Sequence, residues 1–195
     1  KEFTENASHE LQTPLAILKN KLDILLQSDD LTERQYHIAE EMNKALIRSS
    51  RINKNLLLLA KIENSQFDSS ELIRFDTIAL QSMEALQEHF KEKKIDVSTD
   101  ILSNVEVKGN SGLTEVLVNN LLINAIRHTL PEGSTRITLS KSAFEVSNSG
   151  EQALNPDLLF KRFSRMSDDN RGSGLGLSIV QEICKLQGWT VKYDF

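Results

Sequence analysis

Residues 172–178, Gly-Ser-Gly-Leu-Gly-Leu-Ser, put three of the chain's eight glycines into five positions directly ahead of an apolar-patterned segment. Glycines in such a run let backbone N–H groups approach phosphate oxygens at a helix N-terminus. No Lys-Ser or Lys-Thr follows, so the run is not a Walker A loop, and its spacing is not the G-x-G-x-x-G of a dinucleotide fold. Neither His-Arg-Asp nor Asp-Phe-Gly occurs in the chain, which argues against a eukaryotic-type kinase. Just upstream, Phe160-Lys161-Arg162-Phe163 and the polar stretch from Arg165 to Arg171 form a basic segment suited to closing over phosphates.

Around this run the sequence alternates strand-like and helix-like segments. Strands are predicted at Leu72–Phe75, Ile95–Thr99, Val105–Lys108, Ile137–Ser140, Phe144–Ser147 and Trp189–Tyr193, and helices at Thr77–Lys93, Ser111–His128, Pro156–Phe163 and Leu175–Gln187. The mixture predicts a sheet covered on one face by helices. In the second of those helices Asn120, Asn124, Arg127 and His128 fall on one stripe, while Val118, Leu122 and Ala125 line the opposite face. An Asn carbonyl oxygen is a hard neutral ligand suited to Mg²⁺, Arg127 can neutralise phosphate, and His128 can donate to it. Asn is a middling helix former, so two of them one turn apart in a strong helix need a compensating role. At a strand end, Val146-Ser147-Asn148-Ser149-Gly150 places a polar side chain and a tight turn where an adenine edge can be met.

The first glycine is Gly109, so the first half of the chain is the more helical. Leu11, Leu15, Leu18, Leu22 and Leu25 recur at spacings of four and three. After a break at Ser28-Asp29-Asp30, Ile38, Met42, Ala45, Ser49, Ile52, Leu56 and Leu59 repeat that spacing. Two such helices predict an antiparallel hairpin, and because a hairpin cannot enclose its own stripe, pairing with a second copy as a four-helix bundle. Polar residues at Asn64–Ser70 read as a linker.

The hairpin opens with Ser8-His9-Glu10-Leu11-Gln12-Thr13-Pro14-Leu15. Thr13 stands where a zinc-protease HExxH motif needs its second histidine, which excludes that reading. His9 lies two residues ahead of the leucine seam and is expected to face solvent, where a neutral imidazole is a competent nucleophile. Pro14 frees the carbonyl of Glu10 and loosens the helix beside His9.

With 195 residues, 39% hydrophobic and 26% charged, the composition is that of a globular chain, and no stretch reaches the roughly 18 apolar residues of a membrane-spanning helix. A net charge of −5 leaves no basic field for duplex nucleic acid. The single cysteine, Cys184, can form neither an internal disulfide nor a cysteine-rich zinc site. The start at Lys1, without Met, leads to the expectation of an excerpt from a longer protein.

Taken in order, these motifs resemble the conserved core of bacterial sensor histidine kinases, over essentially the whole chain. The opening stretch resembles the H box, Asn120 to Thr129 the N box, Phe160 to Phe163 the F box, and Gly172 to Gly176 the second glycine box. The resemblance implies an α+β chain: a dimerisation and phosphotransfer hairpin at 1–65, four-helical as a homodimer, then a Bergerat-type α/β sandwich at 66–195 that binds ATP. It implies that His9 is phosphorylated, that Glu10 assists proton transfer, and that Thr13 orients water for dephosphorylating the partner. It further implies that Asn124 binds Mg²⁺, that Asn120 supports metal and phosphates, and that Arg127 and His128 contact phosphates. Asn148, Gly150, Gly172, Gly174, Leu175 and Gly176 complete the implied nucleotide site. The implied partner is a response-regulator receiver domain, not nucleic acid, and the implied setting is the cytoplasmic portion of an inner-membrane sensor.

The chain departs from the family pattern at four positions. Asn148 replaces the adenine-reading aspartate and Gln152 the second glycine of the first glycine box, so weakened ATP binding is expected. Gln12 replaces the usual Arg of the H box, and Arg127 a frequent Lys. Two alternatives are a phosphorelay scaffold that has lost ATP binding, and a gyrase- or chaperone-type ATPase in which the helices merely dimerise.

Overall fold

The computed structural model describes residues 2–69, 71–150, 153–164 and 173–195; the side chains of residues 2–9, 11, 156 and 157 fall outside that description. Two long helices come first, α1 (Glu2–Leu26) and α2 (Glu33–Glu63), packed on each other as a hairpin. Thr32 starts α2 with a reciprocal cap: its hydroxyl accepts from the Gln35 backbone N–H, and the Gln35 side chain accepts from the Thr32 N–H.

The hairpin by itself buries only part of its apolar residues. Leu22, Ala39 and Leu46 are buried, whereas Leu18, Leu25, Ile38 and Met42 of the predicted seams are exposed. One pair of helices can cover only one narrow strip of each cylinder, and the rest of each apolar stripe faces outward.

The remainder comprises β1 (Glu71–Arg74), α3 (Phe75–Glu92), β2 (Asp96–Ile101), β3 (Glu106–Gly109), α4 (Ser111–His128), β4 (Ser134–Leu139), β5 (Phe144–Asn148), α5 (Pro156–Leu159) and α6 (Gly176–Gln187). β1 pairs antiparallel with β3, and a three-stranded sheet runs β2-β4-β5, parallel then antiparallel. Thr135, Ile137 and Leu139 alternate inward along β4, as one buried sheet face requires. α3, α4 and α6 pack side by side, α3 also on β2 and α4 on β5, giving one helix layer on the sheet. Val118 and Leu122 of α4 and Ile179 and Ile183 of α6 are fully buried in the shared core. Leu59 and Ile62, at the end of α2, belong to that same core.

Two expected elements differ. The helix predicted at Pro156–Phe163 covers only Pro156–Leu159, and the chain then turns through a left-handed Phe163 (φ 60°). The strand predicted at Trp189–Tyr193 makes no ladder with any described residue. Its side chains hold it instead: Trp189 stacks at a tilt on Phe75, and the Tyr193 hydroxyl accepts from the Leu154 N–H at 2.9 Å. Period-two apolar spacing needs a covered face, not a hydrogen-bonded neighbour, so it arises here without a sheet.

Candidate functional site

Helix α4 is capped by Asn110, whose side-chain oxygen accepts from the Leu113 N–H at 3.0 Å, and it runs from Ser111 to His128 as the periodicity predicts. Its apolar face is sealed: Val118, Leu122 and Ala125 are at most 2% exposed. That burial turns Asn120, Asn124 and Arg127 to the opposite, half-exposed face. The Asn120 amide donates to the Val116 carbonyl at 2.8 Å. Its other atom, Oδ1, lies 2.9 Å from where a Cβ on Gly176 would stand, so the helix and the glycine run meet without a side chain between them.

The run itself is shaped by its neighbours. Gly174 takes a left-handed φ of 69°, and a Cβ there would lie 2.9 Å from the Phe163 backbone. The Phe163 N–H donates to the Gly174 carbonyl at 2.8 Å, which ties the Phe-x-x-Phe turn to the glycine run. Ser173 is buried, and its hydroxyl accepts from the Leu175 N–H and from the Asn55 amide of α2. Leu175, fully buried, opens α6 as its N-cap without a side-chain cap. Arg162 pairs with Glu63 at the end of α2. Gly172 and the predicted lid, Arg165 to Arg171, lie outside the described residues, as does Gln152.

The other predicted residues are less closely gathered. Asn148 ends β5 exposed, and its amide donates to the adjacent Ser149 carbonyl at 3.3 Å. A Cβ on Gly150 would meet nothing within 4 Å, so the chain's own packing does not require glycine there. On α1, Glu10 and Thr13 are exposed, Pro14 lies inside the helix, and the His9 side chain lies outside the described residues. Sequence reasoning did not single out Ser173, Asn55 or Lys93. Ser173 lay within the quoted run, whereas Asn55 is separated from it by 118 residues and carries no motif.

The donor set suits a nucleotide with a shared metal better than a metal alone. Among the described residues no group of three or more His, Cys, Asp or Glu side chains could hold a metal ion. Two neutral asparagine oxygens would leave a Mg²⁺ ion most of its six positions for water and phosphate oxygens. The absence of a side chain on Gly176 is what lets the Asn120 oxygen lie directly against the start of α6.

Comparison with known proteins follows the same division. The model of the His Kinase A (phospho-acceptor) domain matches residues 1–65, and that of the histidine kinase-, DNA gyrase B-, and HSP90-like ATPase matches residues 109–194. Over 201 aligned residues the chain is 32% identical to the heme sensor protein HssS of Staphylococcus aureus (strain JH9). That match takes in 98% of this chain and 43% of the relative, so the chain spans less than half the relative's length. Among solved structures, full-length ShkA in complex with AMPPNP superposes with a TM-score of 0.72 at 22% identity, covering 96% of this chain and 41% of ShkA. The Acinetobacter baumannii histidine kinase AdeS superposes with 0.62 at 24% identity, covering 91% and 86%. At such identities the two structures bear on the fold.

Proposed function

Since the chain belongs to the sensor histidine kinase family, we propose that it is an ATP-dependent protein-histidine kinase core, which phosphorylates His9 and passes the phosphoryl to a response-regulator aspartate. The observation that carries this reading is the closure of α4 on the glycine run, Asn120 against Gly176.

In the first step the bond between the γ-phosphorus and the β,γ-bridging oxygen of ATP breaks as an N–P bond forms at the His9 imidazole, with ADP leaving. The ring N–H proton passes to Glu10, the neighbouring carboxylate. Mg²⁺, when bound, supplies charge neutralisation on the phosphates, with Asn124 as its side-chain ligand and Asn120 in support. Arg127 and His128 contact phosphate, and Asn148 accepts from the adenine amino group. Gly150, Gly172, Gly174, Leu175 and Gly176 line the nucleotide. Such a reaction rests on positioning and electrostatics, which suits a site made of a helix face and a glycine run. In the second step a receiver-domain carboxylate oxygen takes the phosphoryl and the N–P bond breaks. Thr13 orients water for the regulator's later dephosphorylation.

Residues 1–65 form the dimerisation and phosphotransfer unit and 66–195 the ATP-binding unit. The exposed seams at Leu18, Leu25, Ile38 and Met42 support a homodimeric four-helix bundle. No described helix is long and apolar enough to cross a membrane. Tethering of the complete protein to the inner membrane, with this part in the cytoplasm, draws its support from the sensor relative.

The test is incubation with γ-labelled ATP and Mg²⁺. Label that is acid-labile and base-stable, and absent from His9→Gln, supports the assignment; label persisting in His9→Gln sinks it.

A further inference from the structure

We propose that Lys93 is a positioning residue of the nucleotide site: it holds the last turn of α4 and thereby the backbone that carries Arg127. This rests on the reading of α4 as the phosphate-facing helix.

The last carbonyls of a helix have no partner within it and carry the negative end of its dipole. In α4 these groups are taken from two directions. The Ala125 carbonyl accepts from the Thr129 N–H at 2.8 Å and from its hydroxyl at 2.6 Å, and that buried hydroxyl lies 3.1 Å from Thr135 on β4. The next two carbonyls, of Ile126 and Arg127, accept from a single ammonium, Lys93 Nζ, at 2.8 and 3.0 Å. Lys93 is the C-cap of α3. Lys94 then adopts a left-handed φ of 54° and sends its own ammonium away to the exposed Glu132. Adjacent lysines thus do different things: Lys94 sits at the surface, and Lys93 reaches across to the neighbouring helix.

This placement has two consequences. Anionic phosphates near Arg127 and His128 would also lie near the negative end of α4, and a fixed cation on those carbonyls offsets the repulsion. The Arg127 backbone, held through its own carbonyl, is already ordered when nucleotide arrives, so that only the side chain remains to be ordered. Thr129 anchors the same turn to the sheet, and Lys93 ties it to the end of α3.

The experiment uses the whole chain and magnesium-AMPPNP as the probe, with titration calorimetry for affinity, labelling kinetics for KM and kcat, and a melting curve for each variant. Lys93→Met is expected to weaken affinity about three- to tenfold and to raise KM for ATP more than it lowers kcat, at a temperature well below its melting point. Lys93→Arg should restore most of the affinity, and Lys94→Met should match the parent. If Lys93→Met does not fold, Lys93→Gln, which keeps a donor and removes the charge, is expected to weaken binding in the same direction. Parental affinity in a folded Lys93→Met or Lys93→Gln, with only the melting point lowered, overturns the proposal. Arg127→Ala separates the two levels: if it weakens binding while the Lys93 variants do not, the positioning role fails and the phosphate-facing helix stands. If neither changes affinity, both fail.

Discussion

The side-chain oxygen of Asn120 occupies the space that a methyl group on Gly176 would need, 2.9 Å from the Cβ position. The obstacle is the end of a side chain, so Gly176→Ala can be accommodated by swinging Asn120 away and breaking its hydrogen bond to the Val116 carbonyl. Little folding stability is lost, but the two boxes lose their shared geometry. Gly176→Ala is therefore expected to fold with a near-parental melting point and to lose magnesium-AMPPNP binding.

Gly174 presents the opposite case. Its φ is positive, and the atoms in the way belong to the Phe163 backbone, which cannot swing aside. Gly174→Ala carries about 1–2 kcal/mol for the left-handed backbone alone, with the clash added. A marked fall in the melting point of Gly174→Ala, beside a nearly unchanged Gly176→Ala, is the expected pair of results. Equal melting points would contradict the geometry of the run.

Acid stability depends on Asp76, a buried carboxylate that receives two bonds from the Arg74 guanidinium, at 2.9 and 2.7 Å, and one from the Asn104 N–H at 2.9 Å. The Arg74 side chain outweighs the cost of burial and holds the Asp76 carboxyl well below the usual carboxylate range. The folded state then binds the proton more weakly than the unfolded chain does. The stabilisation is fully present above the unfolded value of about 3.9 and is lost as pH falls below it toward the folded value. Asp76→Asn should lower stability at neutral pH by about 1.5 kcal/mol, the low end for charge-assisted bonds because Arg74 is half exposed. It should also flatten the decline in stability below about pH 4. Denaturant melts at several pH values give both numbers; parallel curves for the two proteins would refute the linkage.

How far the fold was legible depended on whether its cause was local. The unbroken periodicity of α4 and the glycine run directly ahead of α6 are properties of neighbouring residues, and they located those helices closely. Residues 189–193 misled because Trp189 and Val191 are half-buried by side-chain packing, which leaves the same alternation as a strand. The α2 seam, Ile38 and Met42, is exposed in the single chain, because an apolar stripe records that a face is to be covered, not by which partner. The site divided in the same way. The motifs marked Asn120 and the glycine run, but Asn55 and Lys93 act through a contact and a carbonyl pair set by tertiary packing, which no spacing encodes.

The exposed seam gives a prediction about assembly. Leu18 and Met42 are each more than half exposed in one chain, on the hairpin and away from the glycine run. Leu18→Glu together with Met42→Glu should convert a dimer to a monomer in sedimentation velocity while leaving the affinity for magnesium-AMPPNP unchanged. A doubly substituted protein that still sediments as a dimer would show that another face joins the copies.

The last prediction concerns Asn148, where the family has aspartate. Its amide nitrogen donates to the Ser149 carbonyl at 3.3 Å, which leaves Oδ1 as the acceptor facing outward for an adenine amino group. Neutral hydrogen bonds contribute about 0.5–1.5 kcal/mol and charge-assisted ones about 1.5–3, so the asparagine gives weaker binding than a carboxylate rather than none. Asn148→Asp gains the charge, but it turns an oxygen toward the Ser149 carbonyl in place of the donor and forfeits that local bond. The two effects oppose each other. The net gain is expected to stay below the tenfold that about 1.4 kcal/mol would give, with adenine still preferred over guanine in both proteins. Parallel ATP and GTP titrations decide the matter. If the parent binds neither nucleotide at millimolar concentration and Asn148→Asp restores nothing, Asn148 is not the adenine contact and the scaffold alternative takes precedence over the kinase.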